Sequence, residues 1–232
     1  MTNVQQNLEH ISQRIQKASE RANRKLEDVT LIAVTKEVSV SRTNEVIETG
    51  ILHLGENRPD GLQKKKDAIS NDVKWHYIGT LQTRKVKSVI NDIQYLHSLD
   101  RISLADEIEK RATSTKDCFV QVNVSQEESK HGLSIDEVEA FVDELKNHKH
   151  IRIIGLMTMA PNTEDEAIIR DVFRRLKQLQ SKIAAKQIAN APCTELSMGM
   201  SGDFEIAIEE GATFIRIGTA LVGKEKEAIE RA

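Results

Sequence analysis

The sequence predicts an α/β protein, a (β/α)8 barrel with one extra helix at its N-terminus, and three observations carry that prediction. Short β-branched runs alternate with longer amphipathic stretches along almost the whole chain. Alternation of this kind implies parallel strands, because each parallel connection needs a crossover. The runs number eight in a chain of 232 residues, which matches the about 250 residues of a closed eight-unit barrel. Only three prolines occur and no Ser/Gly-rich linker interrupts the pattern, so residues 1–232 read as one barrel domain, with 1–28 a helix packing on it. A doubly wound open sheet is the alternative; the regularity of eight units favours closure.

Taken in order, Leu8, Ile11, Ile15 and Ala18 recur at helical spacing before the first strand. The strand runs are TLIAVT (30–35), LHLGE (52–56), WHYIG (75–79), QYLHSL (94–99), CFVQVNV (118–124), IRIIGLMTM (151–159), CTELSMG (193–199) and TFIRIG (213–218). Helical patterns fill the gaps at 41–50, 57–70, 81–91, 101–112, 134–148, 163–187 and 201–211. Ser134 stands three residues before Glu137, the pattern of a capping box. Gly50 and Gly211 fall where helices need a left-handed closing residue.

Composition narrows the function. With 39% hydrophobic and 30% charged residues the chain reads as soluble and globular. A net charge of −3 provides no basic field for nucleic acid or anionic lipid. No apolar run approaches the ~18 residues of a membrane span, and the polar, periodic N-terminus is unlike a signal peptide. Cys118 and Cys193 lie far apart and fit neither a zinc spacing nor a disulfide framework, which places the chain in a reducing compartment, the cytoplasm. Small molecules or another protein remain as partners.

In a parallel barrel the chemistry collects where strands end. Lys36 follows the first apolar run; an amine extending from a buried strand loses hydration, which favours its neutral, nucleophilic form and Schiff-base chemistry. A surface lysine opening a loop is the other reading. The second run ends in Gly55-Glu56-Asn57-Arg58, where Asn57 either offers its amide to a ligand or caps the next helix. His76 in the third run reads as neutral packing, and Lys130 in the loop after the fifth as solvated. After the seventh run come Gly199, Ser201 and Gly202, and after the eighth Gly218 and Thr219. Small residues at these two ends, where barrels hold phosphates, expose backbone N–H groups to an anion. Arg216 shares a strand face with Gly218 and needs an inward partner, either a ligand heteroatom or a carboxylate. An imine-forming lysine, a phosphate cup and an arginine between them match the aldehyde, phosphate and ring nitrogen of pyridoxal 5′-phosphate (PLP).

The motifs AVTK, GEN, WHYIGTLQ, SKHG, GLMTMAP, LSMGMSGD and RIGTALVG, spanning about 30–223, resemble the pyridoxal phosphate homeostasis protein family. The resemblance implies a fold type III PLP-binding barrel related to alanine racemase. It implies PLP held covalently by Lys36, Asn57 beside the cofactor, and Ser201, Gly218 and Thr219 on the phosphate. Arg216 would face the pyridine nitrogen, and Lys130 would serve cofactor handling and transfer. Two positions depart from the family pattern: Thr80 stands where proline is frequent, and Arg58 opens a variant Arg58–Gly61 loop where an aromatic follows GEN.

The implied role is intracellular PLP homeostasis by a monomer that holds PLP and passes it to PLP-dependent apo-enzymes, without established turnover. Racemisation needs acid–base groups on both faces of a substrate. The chain ends soon after its eighth strand run, and its tyrosines, Tyr77 and Tyr95, lie in or near strands. A low-activity PLP-dependent racemase or decarboxylase of the same fold is the alternative. A cofactor-free phosphosugar aldolase or isomerase using Lys36 is a third.

Overall fold

Eight strands form where the apolar runs predict them, most trimmed by a residue or two at their edges. The structure is a computed structural model describing residues 2–127 and 129–225. The strands are β1 (Thr30–Val34), β2 (His53–Glu56), β3 (Lys74–Tyr77), β4 (Tyr95–Leu99), β5 (Lys116–Gln121), β6 (Ile151–Met157), β7 (Glu195–Ser197) and β8 (Phe214–Ile217). Each pairs in parallel with its sequence neighbour, and β8 closes on β1 through a register running from Thr30↔Phe214 to Ala33↔Ile217. The result is a closed (β/α)8 barrel, as the sequence predicts.

The crossovers carry α2 (Val40–Glu48), α3 (Pro59–Ala68), α4 (Ile102–Arg111), α5 (Ile135–Glu144), α6 (Glu166–Ala184) and α7 (Phe204–Glu209), and the short α8 (Thr219–Val222) follows β8. Helix α1 (Asn3–Arg21) precedes the barrel and buries Ile11, Ile15 and Ala18. Arg14 and Arg21 pin it to α7 through Glu205 and Glu209, each at 2.7 Å. Gly50 and Gly211 take φ of +91° and +100°, the left-handed conformation expected after a helix. Ser134 and Glu137 form the capping box at the start of α5.

One predicted helix is corrected. Residues 81–91 hold only a short 3-10 segment, Thr83–Ser88. The buried Leu81, Val86, Val89 and Ile90 are spaced five, three and one apart, so they never build the stripe a full α-helix would bury. Helix α7 also begins later than predicted, because the Asp203 carboxylate accepts the Met200 N–H at 2.5 Å and closes a turn first.

Two apolar cores hold the fold. The larger lies between the strands and the surrounding helices; the smaller fills the barrel with Ile32, Phe119, Ile154, Met157 and Phe214. Cys118 and Cys193 are buried and free. Among the described residues no helix is long and apolar enough to cross a membrane.

Candidate functional site

The C-terminal ends of β1 and β8 lie side by side, since Ala33 is in register with Ile217. The chain leaves β1 at Val34, turns Thr35 inward and brings Lys36 out in the following turn. A cavity of about 290 Å³ forms there, with Lys36, Gly218 and Thr219 in its wall. Its size is near the lower end of the about 300–1,000 Å³ typical of small-molecule sites. Larger hollows, of 630 and 690 Å³, lie at the strand-start mouth of the barrel and between α1 and α2. Neither gathers residues from strand C-termini.

Lys36 differs from the sequence expectation. It stands two residues past the end of β1, and its side chain is 39% exposed, so it is not desolvated as an extension of the strand. The residue turned into the interior is Thr35, whose hydroxyl donates to Glu56 Oε1 at 2.6 Å. The nearest charge to the Lys36 amine is Glu37 Oε1, 3.9 Å away, beyond hydrogen-bond reach. Glu56 Oε1 also takes Lys65 Nζ at 2.6 Å, and Lys65 donates to the Thr35 carbonyl as well. A fully buried ion pair therefore braces the turn that carries Lys36. Gly61 leaves room for it, because a Cβ there would sit 3.1 Å from Glu56 Oε2.

Asn57 does not cap the next helix: Arg58 occupies the cap position of α3, exposed and without a side-chain bond, and Pro59 starts the helix. The Asn57 backbone packs against Gly79 so closely that a Cβ at Gly79 would lie 2.4 Å from the Asn57 carbonyl oxygen. The loops after β2 and β3 are thus locked together. Ser201 sits in the loop after β7, and the Arg216 N–H bonds the Gly199 carbonyl at 3.0 Å, tying that loop to β8. Asn57, Ser201 and Arg216 do not line the cavity that holds Lys36, Gly218 and Thr219.

Arg216 points into the barrel and is buried. Of the two partners considered from sequence, a carboxylate is not within ion-pair distance among the described residues. Its Nη1 donates to Ser197 Oγ at 2.5 Å and its Nη2 to the Thr158 carbonyl at 3.0 Å. Burial lowers its pKa to about 10, with Asp203 acting in the opposite sense. His76, read from sequence as neutral packing, is fully buried and held well below the ordinary imidazole value, first by burial and then by His97 and His53. Lys130 is not a solvated loop lysine. It reaches Glu127 Oε1 at 3.1 Å and the Met159 carbonyl at 3.3 Å, bridging the loops after β5 and β6.

Sequence reasoning missed Ser197, Thr158, His97 and the Glu56–Lys65 pair. For His97 and Ser197 the available signal was a polar residue at an inward position of an otherwise apolar strand, which marks a group needing a buried partner.

The family model for the alanine racemase N-terminal domain matches residues 6–226. The pyridoxal phosphate homeostasis protein of Aquifex aeolicus is 40% identical over 97% of this chain and 99% of its own length. That of Pseudomonas aeruginosa is 33% identical over 96% of each chain. Among solved structures, PipY of Synechococcus elongatus with PLP bound aligns with a TM-score of 0.79 at 30% identity, covering 92% of this chain and all of that one. An alanine racemase of Clostridium difficile aligns with a TM-score of 0.76 at 13% identity, covering 97% of this chain and 58% of that one, a likeness of fold. The closed barrel and these matches together mean that the chain belongs to the pyridoxal phosphate homeostasis protein family, within the alanine racemase N-terminal domain family.

Proposed function

We propose that this protein binds PLP at the C-terminal mouth of the barrel and serves PLP homeostasis, with Lys36 as the residue that holds the cofactor covalently. The observation that carries the reading is the free Lys36 amine in the wall of a small cavity beside Gly218 and Thr219. PipY, similar over nearly the whole chain, was solved with PLP bound.

The residues fit the group. PLP supplies an aldehyde that condenses reversibly with amines, a phosphate and a weakly basic ring nitrogen. Among the described residues no hydrogen bond engages the Lys36 amine. Thr219 and Ser201 offer hydroxyls, and the loops after β7 and β8 offer backbone N–H groups for the phosphate. Asn57, outside the wall of that cavity, is fixed by its backbone packing on Gly79 and is proposed to approach the cofactor from the loop after β2. Arg216 commits two N–H donors to Ser197 and Thr158, leaving the rest of its five for a ring nitrogen. A cationic donor there disfavours protonation of that nitrogen and so weakens the ring as an electron sink, which suits storage and transfer over racemisation.

The exposure of Lys36 supports exchange with recipients, the PLP-dependent apo-enzymes, because an incoming amine reaches it without a domain opening. A monomer suffices for this. Borohydride reduction of PLP-loaded protein followed by peptide mapping tests the assignment. The stable mass increment is expected on the peptide carrying Lys36 and absent from Lys36→Ala. An increment on Lys65 or Lys130, or none at all, overturns it.

A further inference from the structure

A chain of hydrogen bonds runs through the barrel interior to Arg216. It begins at His53, the first residue of β2, half-buried at the strand-start mouth. His53 Nδ1 meets His76 Nε2 at 2.9 Å; His76 Nδ1 meets His97 Nε2 at 2.9 Å; His97 Nδ1 meets Ser197 Oγ at 2.9 Å. Arg216 Nη1 completes it at Ser197 Oγ. Aromatic rings enclose it: Tyr95 stacks on His76 with centroids 4.3 Å apart, and Phe119 stacks on His97 at 4.4 Å.

The direction of every bond in this chain follows from one end. A guanidinium only donates, so Ser197 Oγ accepts from Arg216. The Ser197 hydroxyl proton then has one acceptor among its hydrogen-bond partners, His97 Nδ1. With Nδ1 accepting, neutral His97 carries its proton on Nε2 and donates to His76 Nδ1. The same reasoning places the His76 proton on Nε2, donating to His53 Nδ1. In the reverse arrangement His97 donates to Ser197, the oxygen accepts twice, and a buried hydroxyl proton is stranded, at the cost of an unmade hydrogen bond.

We propose that His53, His76 and His97 are positioning residues, a hydrogen-bond chain of fixed direction that presents three aligned imidazole dipoles, negative ends first, to Ser197 and Arg216. A buried cation is costly without a counter-charge. Here the dipoles take the place of a directly paired carboxylate, with Asp203 adding a more distant opposite charge, and they keep the guanidinium charged, fixed in orientation and with donors to spare. Its effect on PLP rests on the reading above that Arg216 meets the ring nitrogen; the direction of the chain does not. The charged and titratable groups facing it are Lys74 near His53, Tyr95 beside His76, Arg216 beyond His97 and Asp203 near Arg216.

Long-range 1H–15N correlation spectra of the apo-protein labelled at histidine test the direction. The expected result is Nε2–H, with bare Nδ1, at all three rings, unchanged over a pH range in which exposed histidines titrate. An Nδ1–H or an imidazolium at His76 or His97 in the wild type overturns the proposal. Ser197→Ala is expected to release the direction and produce mixed tautomers at His97 and His76, whereas Ser197→Thr keeps the wild-type pattern. Unchanged tautomers in a folded Ser197→Ala protein overturn it too. PLP titration separates this from the cofactor reading, with Ser197→Ala expected to bind about ten-fold more weakly and Ser197→Thr near wild type. Fixed tautomers in a wild type that takes up no PLP sustain the chain and overturn the cofactor site. Normal uptake with mixed tautomers does the reverse.

Discussion

Glu56 and Lys65 meet at 2.6 Å with side chains 1% and 5% exposed, between the end of β2 and the middle of α3. A pair buried this deeply owes little to solvent screening, and removing one partner leaves an uncompensated charge. Lys65→Met is therefore expected to cost about 3–5 kcal/mol of stability in urea unfolding, and adding Glu56→Leu to recover much of that. An exposed pair such as Arg111–Glu107 would cost far less on the same measurement. Neither partner was legible as such. Glu56 read as part of a polar strand end and Lys65 fell inside the helical pattern at 57–70; only the packing of α3 onto β2 brings them together. Lys36, by contrast, was legible as a candidate from its place after the first strand, and it lines a cavity there. Its solvation was not, because that depends on Thr35 being the residue drawn inward to Glu56.

Strand β6 meets β7 at Gly155, opposite Glu195. A Cβ on Gly155 would lie 2.0 Å from the Glu195 carbonyl oxygen, a backbone atom that moves only if the strands part. Gly155→Ala is expected to destabilise the barrel by roughly 1–3 kcal/mol or more through overpacking, read as a lowered denaturant midpoint. A midpoint equal to wild type would mean that β7 yields freely. At this scale the sequence was most informative, since β-branched runs and amphipathic stretches report burial directly. It failed at 81–91, where helix-forming residues lack a continuous apolar stripe. Local preference alone does not hold an α-helix there without a face to bury.

Across the whole molecule, the barrel interior encloses His76 and His97 in neutral form. Both lie well below the ordinary imidazole range: burial dominates for each, with His97 and His53 adding for His76 and Arg216 adding for His97. Once unfolded, each ring binds a proton below about pH 6.5 that the folded state refuses. Their contribution is thus complete above pH 6.5 and is lost progressively as the pH falls below it. The slope approaches about 1.4 kcal/mol per pH unit for each ring. Urea midpoints measured from about pH 7 to about pH 5 should fall, and fall less steeply in a His76→Phe, His97→Phe protein; equal slopes would contradict the account. By itself the sequence determined the eight-unit barrel and the extra helix, and it singled out the ends of β1, β7 and β8 as the place proposed for a site. Those properties follow from local periodicity and from the rule that parallel strands emerge on one face. The tertiary structure alone decided that no carboxylate among the described residues pairs directly with Arg216, that Ser197 is its partner and that three histidines from three strands stand in line behind it. Partnerships among residues 19 to 100 positions apart depend on strand register and barrel closure, which no local pattern encodes.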